Sequence, residues 1–206
     1  MAATVTIYEA NGGTDGTPGT HTRVDGQNLG NGVDVDVRFC TADAYNDIAV
    51  HPCIIPAAGS NFSYWKHLYL NIATGTGFTT VNNIRFYTDG TIGWTCGTGG
   101  GLYVGIRDSG DNGTPMDASY EVATGVVGTS GHDIDDVTNG HTYYKDQTAP
   151  PALASNYTAG ATLLVDSADY SVADDSDAIV LNVKLATDAT QGTQAAETLT
   201  FLYDEI

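Results

Sequence analysis

Hydrophobic and polar residues alternate with period two along most of this chain, the spacing of strands with one buried face. Val33, Val35, Val37 and Phe39 fall on one side of a predicted strand over Val33–Cys40, with Asp34, Asp36 and Arg38 on the other. Leu102, Val104 and Ile106 alternate in the same way with Tyr103, Gly105 and Arg107. Further strands are predicted at Thr4–Tyr8, Tyr64–Ile72, Asn83–Thr88, Thr91–Cys96, Ala161–Val165, Ala178–Leu185 and Thr198–Tyr203. Asp89-Gly90 separates Ile84–Tyr87 from Thr91–Trp94, and a glycine able to take positive φ at that point predicts a hairpin. The last two strands read as a second hairpin through a turn-rich stretch ending at Ala196, which predicts a fold that closes at residue 206. Val180 and Leu202 are apolar on the side of that hairpin that should be wet. That side is therefore expected to be covered, by the chain's own long loop or by a neighbouring subunit.

Short strands with one polar face predict an all-β fold, an antiparallel β-sandwich of jelly-roll or Ig-like type with little or no helix. A chain of 206 residues suffices for a single β-sandwich domain over 1–206. Residues 11–32 and 108–160 carry no strand pattern. The second stretch is expected to be a long loop insertion whose Tyr120, Tyr143, Tyr144 and Tyr157 offer aromatic surface to a neighbour or to the sandwich itself.

Composition sharpens this picture. Thr (28) and Gly (25) dominate, and of 25 acids 21 are Asp, a residue that suits turns, whereas Glu favours helices. Only 7 bases oppose them, giving a net charge of −18. Such a surface repels phosphate backbones and anionic headgroups, so neither nucleic acid nor membrane is expected as a partner. Adaptation to high salt is a competing reading of the same charge. Arg38, Lys66, Arg85, Arg107 and Lys184 lie in predicted strands on the polar side, where they are expected to pair with carboxylates across strands. Met1–Tyr8 has neither a basic nor an apolar leader, so synthesis in the cytoplasm without a signal peptide is expected.

Recognisable chemistry is sparse. Gly97-Thr-Gly-Gly-Gly101 lacks the Lys-Ser/Thr ending of a phosphate loop and runs into a strand, so a turn or bulge is expected. No nucleophile elbow or zinc-helix motif occurs, and His21, His51, His67, His132 and His141 have no ligand spacing. No catalytic residue, cofactor or enzymatic activity is therefore expected. Cys40, Cys53 and Cys96 are an odd set best read as reduced, mostly buried thiols, with a Cys40–Cys53 bridge as the alternative. Calcium is the one metal the residues suggest. Asp108 to Asn112, Asp133 to Asp136 and, most densely, Asp174, Asp175 and Asp177 supply hard oxygen ligands, although solvated turns would look the same. Trp65 with Tyr64 and Tyr69, and separately Trp94, could form a platform for sugar, with burial or a subunit contact as the competing reading.

Tyr64-Trp-Lys-His-Leu-Tyr-Leu70, Val81-Asn-Asn-Ile-Arg-Phe-Tyr-Thr-Asp-Gly90 and the tail Ala178–Ile206 resemble segments of small β-sandwich structural proteins of tailed phages and archaeal viruses. The resemblance spans Tyr64–Arg107 and the C-terminal strands, and leaves 108–160 uncovered. It implies a virion component, a capsid decoration or tail-associated protein, that assembles with other virion proteins and with itself as a homo-oligomer or lattice. The acidic balance suits an outer position, away from packaged nucleic acid. A carbohydrate-binding or adhesive module, calcium-dependent in one version, is the alternative, and a hydrolase built on a sandwich is the third reading.

Overall fold

The computed structural model describes residues 3–10, 27–28, 37–42, 48–73, 80–107, 125–126, 128–134 and 151–206. The longest strand among them explains the arrangement of the rest. Asp174–Ala186 carries apolar residues at successive positions, Ala178, Ile179, Val180 and Leu181, so both faces of the strand must be covered. Numbered along the chain, the strands are β1 (Thr4–Ala10), β2 (Gln27–Asn28), β3 (Ser60–Phe62), β4 (Lys66–Ala73), β5 (Val81–Tyr87), β6 (Gly101–Arg107), β7 (Ala152–Leu153), β8 (Leu163–Asp166), β9 (Asp174–Ala186) and β10 (Thr200–Glu205). One turn of 3-10 helix at Ala154–Asn156 is the helical element among the described residues.

Two antiparallel sheets result. The larger runs β2-β1-β4-β9-β6-β7, with β3 also on β9, and the smaller runs β10-β5-β8. β3 and β4 follow one another along the same edge of β9, interrupted at Ser63–Trp65. At the break Ser63 N–H bonds to the Val183 carbonyl (2.9 Å), and Tyr64 N–H turns away to the Cys40 carbonyl (2.8 Å). The inner faces meet in one core. Leu68, Leu70 and Ile72 from β4, Leu102 and Val104 from β6 and Ile179, Leu181 and Val183 from β9 pack against Val81, Ile84 and Phe86 from β5 and Leu163 and Val165 from β8. The protein is thus an all-β sandwich, as the alternation predicts.

Several expectations are corrected. β9 and β10 do not form a hairpin; they lie in different sheets, because β4 and β6 occupy both edges of β9 and β10 finds β5 instead. The Asp89-Gly90 turn exists, with Gly90 at φ +89° and Thr91 N–H on the Asp89 carboxylate (2.8 Å), but residues 91–96 do not return along β5. They run beside 186–197, where the Cys96 carbonyl accepts from Ala186 N–H and the Thr95 carbonyl from Thr190 N–H. Residues 33–36 of the predicted Val33–Cys40 strand lie outside the described residues. The remainder is not a strand, although Val37 and Phe39 do pack on the core.

Lys66 departs furthest from its expected place. It belongs to the inward row of β4 with Leu68 and Leu70, and its Nζ lies 2.8 Å from Glu9 Oε1, with both side chains at most 1% exposed. Glu9 lies across from Leu68 on β1, so the two charges bridge adjacent strands within the interior. Desolvating two ions costs several kcal/mol each, and only close pairing offsets it.

Removing one partner strands a buried charge. Lys66→Met or Glu9→Leu alone is expected to cost about 3–5 kcal/mol in urea unfolding, and the double variant to recover most of the loss. Single variants as stable as the wild type would show that water reaches the pair.

Candidate interaction surface

The centre of the outward face of the large sheet is closed by the chain itself. Tyr64, Trp65, Val180 and Ile134 form a buried cluster there, and Tyr69 stacks on Tyr8 with ring centroids 5.9 Å apart. Residues 130–134 lie directly on the backbone. Gly131 N–H donates to the Phe62 carbonyl (2.7 Å), Trp65 Nε1–H donates to the His132 carbonyl (2.8 Å), and a Cβ on Gly131 would collide with the Ser63 carbonyl. Val180 is therefore covered, as expected, by part of the 108–160 stretch. Trp65 at 1% exposure has no face to offer a sugar. Trp94 packs edge-on against Phe39 and donates its indole N–H to the Ala195 carbonyl (2.7 Å).

The acidic run before the last strands is not a loop, since β9 begins at Asp174. Asp174 is exposed, and Asp175 accepts the Asn71 amide. Asp177 donates its backbone N–H to Asp166, whose carboxylate also accepts Tyr170 O–H (2.6 Å) and Ala168 N–H (2.7 Å). Ser176 Oγ accepts the Leu70 N–H. These bonds tie the start of β9 to β4 and to the end of β8. Among the described residues no three His, Cys, Asp or Glu side chains converge as a metal site. Asp133 faces Lys184 at 3.8 Å, while Asp108 to Asn112 and Asp135 and Asp136 lie outside the described residues.

The glycine-rich loop carries its own anion. Gly97 takes φ +84°, and Asp188 accepts both Thr98 N–H (2.8 Å) and Thr98 Oγ1–H (2.6 Å), which hold its carboxyl below the usual range. Gly100 N–H closes the turn on the Gly97 carbonyl. The three thiols are unbridged. Burial foremost, then the neighbouring Cys40 and Cys96, push the Cys53 thiol up to about 12, a protonated and unreactive state.

The small sheet is different, because its outward face is open. Register sets Leu202 beside Arg85 and Arg85 beside Leu164, one row across all three strands, with Tyr87 and Thr200 paired in the next row on the same side. Leu202 is 40% and Leu164 49% exposed. The guanidinium between them is fixed: Arg85 Nη2 donates to Asp204 (2.9 Å) and Nε to the Asn83 carbonyl (3.1 Å). Asn83, at φ +52°, adds its side-chain amide to the same carboxylate at 2.6 Å. Asparagine tolerates this left-handed conformation, and the resulting irregularity brings two donors to one acid. The sequence points to Leu202 as an apolar residue out of place but gives no sign of its alignment with Arg85 and Leu164.

No protein-family model, curated protein or solved structure matches this chain.

Burial makes stability fall in alkali. The Cys53 thiol titrates higher folded than at its ordinary 9.0, and burial with the Asp166 hydrogen bond raises the Tyr170 phenol above its ordinary 10.0. The unfolded chain releases these protons first, so their contribution is intact below pH 9 and is lost as pH rises above it, by up to about 1.4 kcal/mol per pH unit for each group. Urea titrations from pH 8 upward are expected to show this fall, with Cys53→Ala reducing the part that begins near 9, to which the Cys96 thiol, also raised by burial, contributes the rest. An identical pH profile in that variant would contradict the assignment.

Proposed function

We propose that this chain is a non-enzymatic structural subunit of a virus particle, on the outer surface of a capsid or associated with a tail, that works through protein–protein contact. The open row of Leu202, Arg85 and Leu164 on the small sheet carries the assembly part of this reading. Leu, Tyr and Arg on a fixed sheet suit a protein partner, and arginine and tyrosine are enriched at interfaces. The resemblance of Tyr64–Arg107 and the C-terminal strands to small virion sandwich proteins supports the viral setting. The net charge of −18 suits a position away from packaged nucleic acid.

No described constellation of side chains offers a competing chemistry. Tyr64, Trp65 and Tyr69 are buried and Trp94 is half-buried against Phe39 with its indole N–H committed to the Ala195 carbonyl, and the acids best placed for calcium are bonded within the sheets or spread along β9.

Quantitative mass spectrometry of purified particles tests this reading. The chain is expected in fixed stoichiometry with the major shell or tail protein. Its absence from particles whose producing cells contain it would overturn the proposal.

A further inference from the structure

We infer that Lys66 and Glu9 condense after folding into an isopeptide bond, a side-chain amide that fastens β4 to β1. This modification is independent of the assembly role.

Burial sets the two groups against each other. Nζ lies 2.8 Å from Oε1, with the side chains 1% and 0% exposed. Lys66 lies across from Leu181 on β9, and Glu9 lies across from Leu68 on β4, both leucines of the apolar core. In such surroundings the ion pair competes with its neutral form, an amine beside a carboxylic acid, because desolvation penalises both charges at once. Amine and acid are the reactants of an amide.

The step balances within the pair. The ammonium passes one proton along the 2.8 Å contact to Glu9, which leaves an electron pair on Nζ. Rotation of the carboxyl about its terminal torsion, a soft one, turns the face of Cδ to that nitrogen. The Nζ–Cδ bond forms, a Cδ–O bond breaks, and the departing hydroxide takes a second proton from the nitrogen. One water leaves, and nothing is oxidised or reduced.

Contact and dryness drive the reaction forward. Well-oriented groups held together react as if at concentrations of about 10⁵–10⁸ M. Condensation removes two buried charges, and the reverse hydrolysis needs a water that side chains so little exposed do not admit. Reach is sufficient. Register sets Glu9 two positions along β4 from Lys66, so the side chains are diagonal neighbours about 7–8 Å apart at the backbone. A glutamate and a lysine joined end to end span that distance without moving either strand.

The bond would act on a lightly held strand. Beyond its ladder with β4, β1 pairs at Tyr8 and Glu9 with the two residues of β2. An amide from residue 9 to residue 66 keeps β1 from peeling away when those ladders open.

Freshly folded chains carry the ion pair, which is the state that urea unfolding of new protein reads. Intact-mass spectrometry of the full chain, kept folded at about 37 °C for several days, is expected to show a growing species lighter by one water, about 18 Da. A sample kept unfolded in urea should hold its full mass. Digestion of the lighter species should yield the peptides of Glu9 and Lys66 joined, with trypsin no longer cleaving after Lys66. Lys66→Met should stay at full mass, and the wild-type result stands whether or not that variant folds. An aged native chain still at full mass would overturn the inference. So would a loss that occurs equally in the unfolded sample, or one that maps to an Asp-Gly step such as Asp89-Gly90 as a succinimide.

Discussion

A strand that is apolar on both faces and bonded along both edges cannot sit at the surface, and β9 is such a strand. Ile179, Leu181 and Val183 face the small sheet, while Ala178 and Val180 face the other way. Burying five such side chains contributes about 1–3 kcal/mol each, which makes covering both faces the dominant demand on the fold. The small sheet supplies one cover; on the other side Ile134 with Tyr64 and Trp65 packs on Val180, and Tyr69 with Tyr8 packs on Ala178. β4 and β6 take the two edges, so β10 is displaced to the second layer.

The polar groups inside follow from this double burial. Lys66 is drawn into the interior because β4 lies beside β9 along its whole length, and Glu9 on the next strand is near enough to hold it. Asn182 on β9 and Ser63 in the break between β3 and β4 are likewise fully buried. The Asn182 side-chain amide donates to the Ser63 carbonyl (2.8 Å), and Ser63 Oγ accepts Val183 N–H (2.9 Å). These bonds hold the break between β3 and β4 in register, at the point where 130–134 crosses. The large sheet is thus buried on both faces around β9, while the small sheet leaves Leu202 and Leu164 exposed on its outward face.

Period-two alternation makes the class and most strand positions legible, since it depends on only one residue and its neighbours. Pairing does not follow, because alternation says nothing of which edge a strand joins. The apolar Val180 is the one local sign that β9 is central. It marks a covered position, but on its own it does not exclude a hairpin between β9 and β10. Lys66 looks like a surface base in the sequence because its partner Glu9 lies 57 residues away. The acidic residues 174–177 look like a loop because Asp disfavours strands, yet bonds to Asn71, Leu70 and Asp166 extend β9 through them. Leu202 is legible as an oddity, whereas the row it forms requires the register of three strands drawn from distant parts of the chain.

One sheet face is closed by the chain and the other is open, and the assembly reading depends on that asymmetry. Hydroxyl-radical footprinting of the free protein, read residue by residue by mass spectrometry, tests it directly. Leu164 and Leu202 should be oxidised readily while Tyr64, Trp65 and Tyr69 are protected until the protein unfolds. Rapid labelling of Trp65 and Tyr69 in the native protein, or protection of both leucines in the dilute monomer, would contradict it.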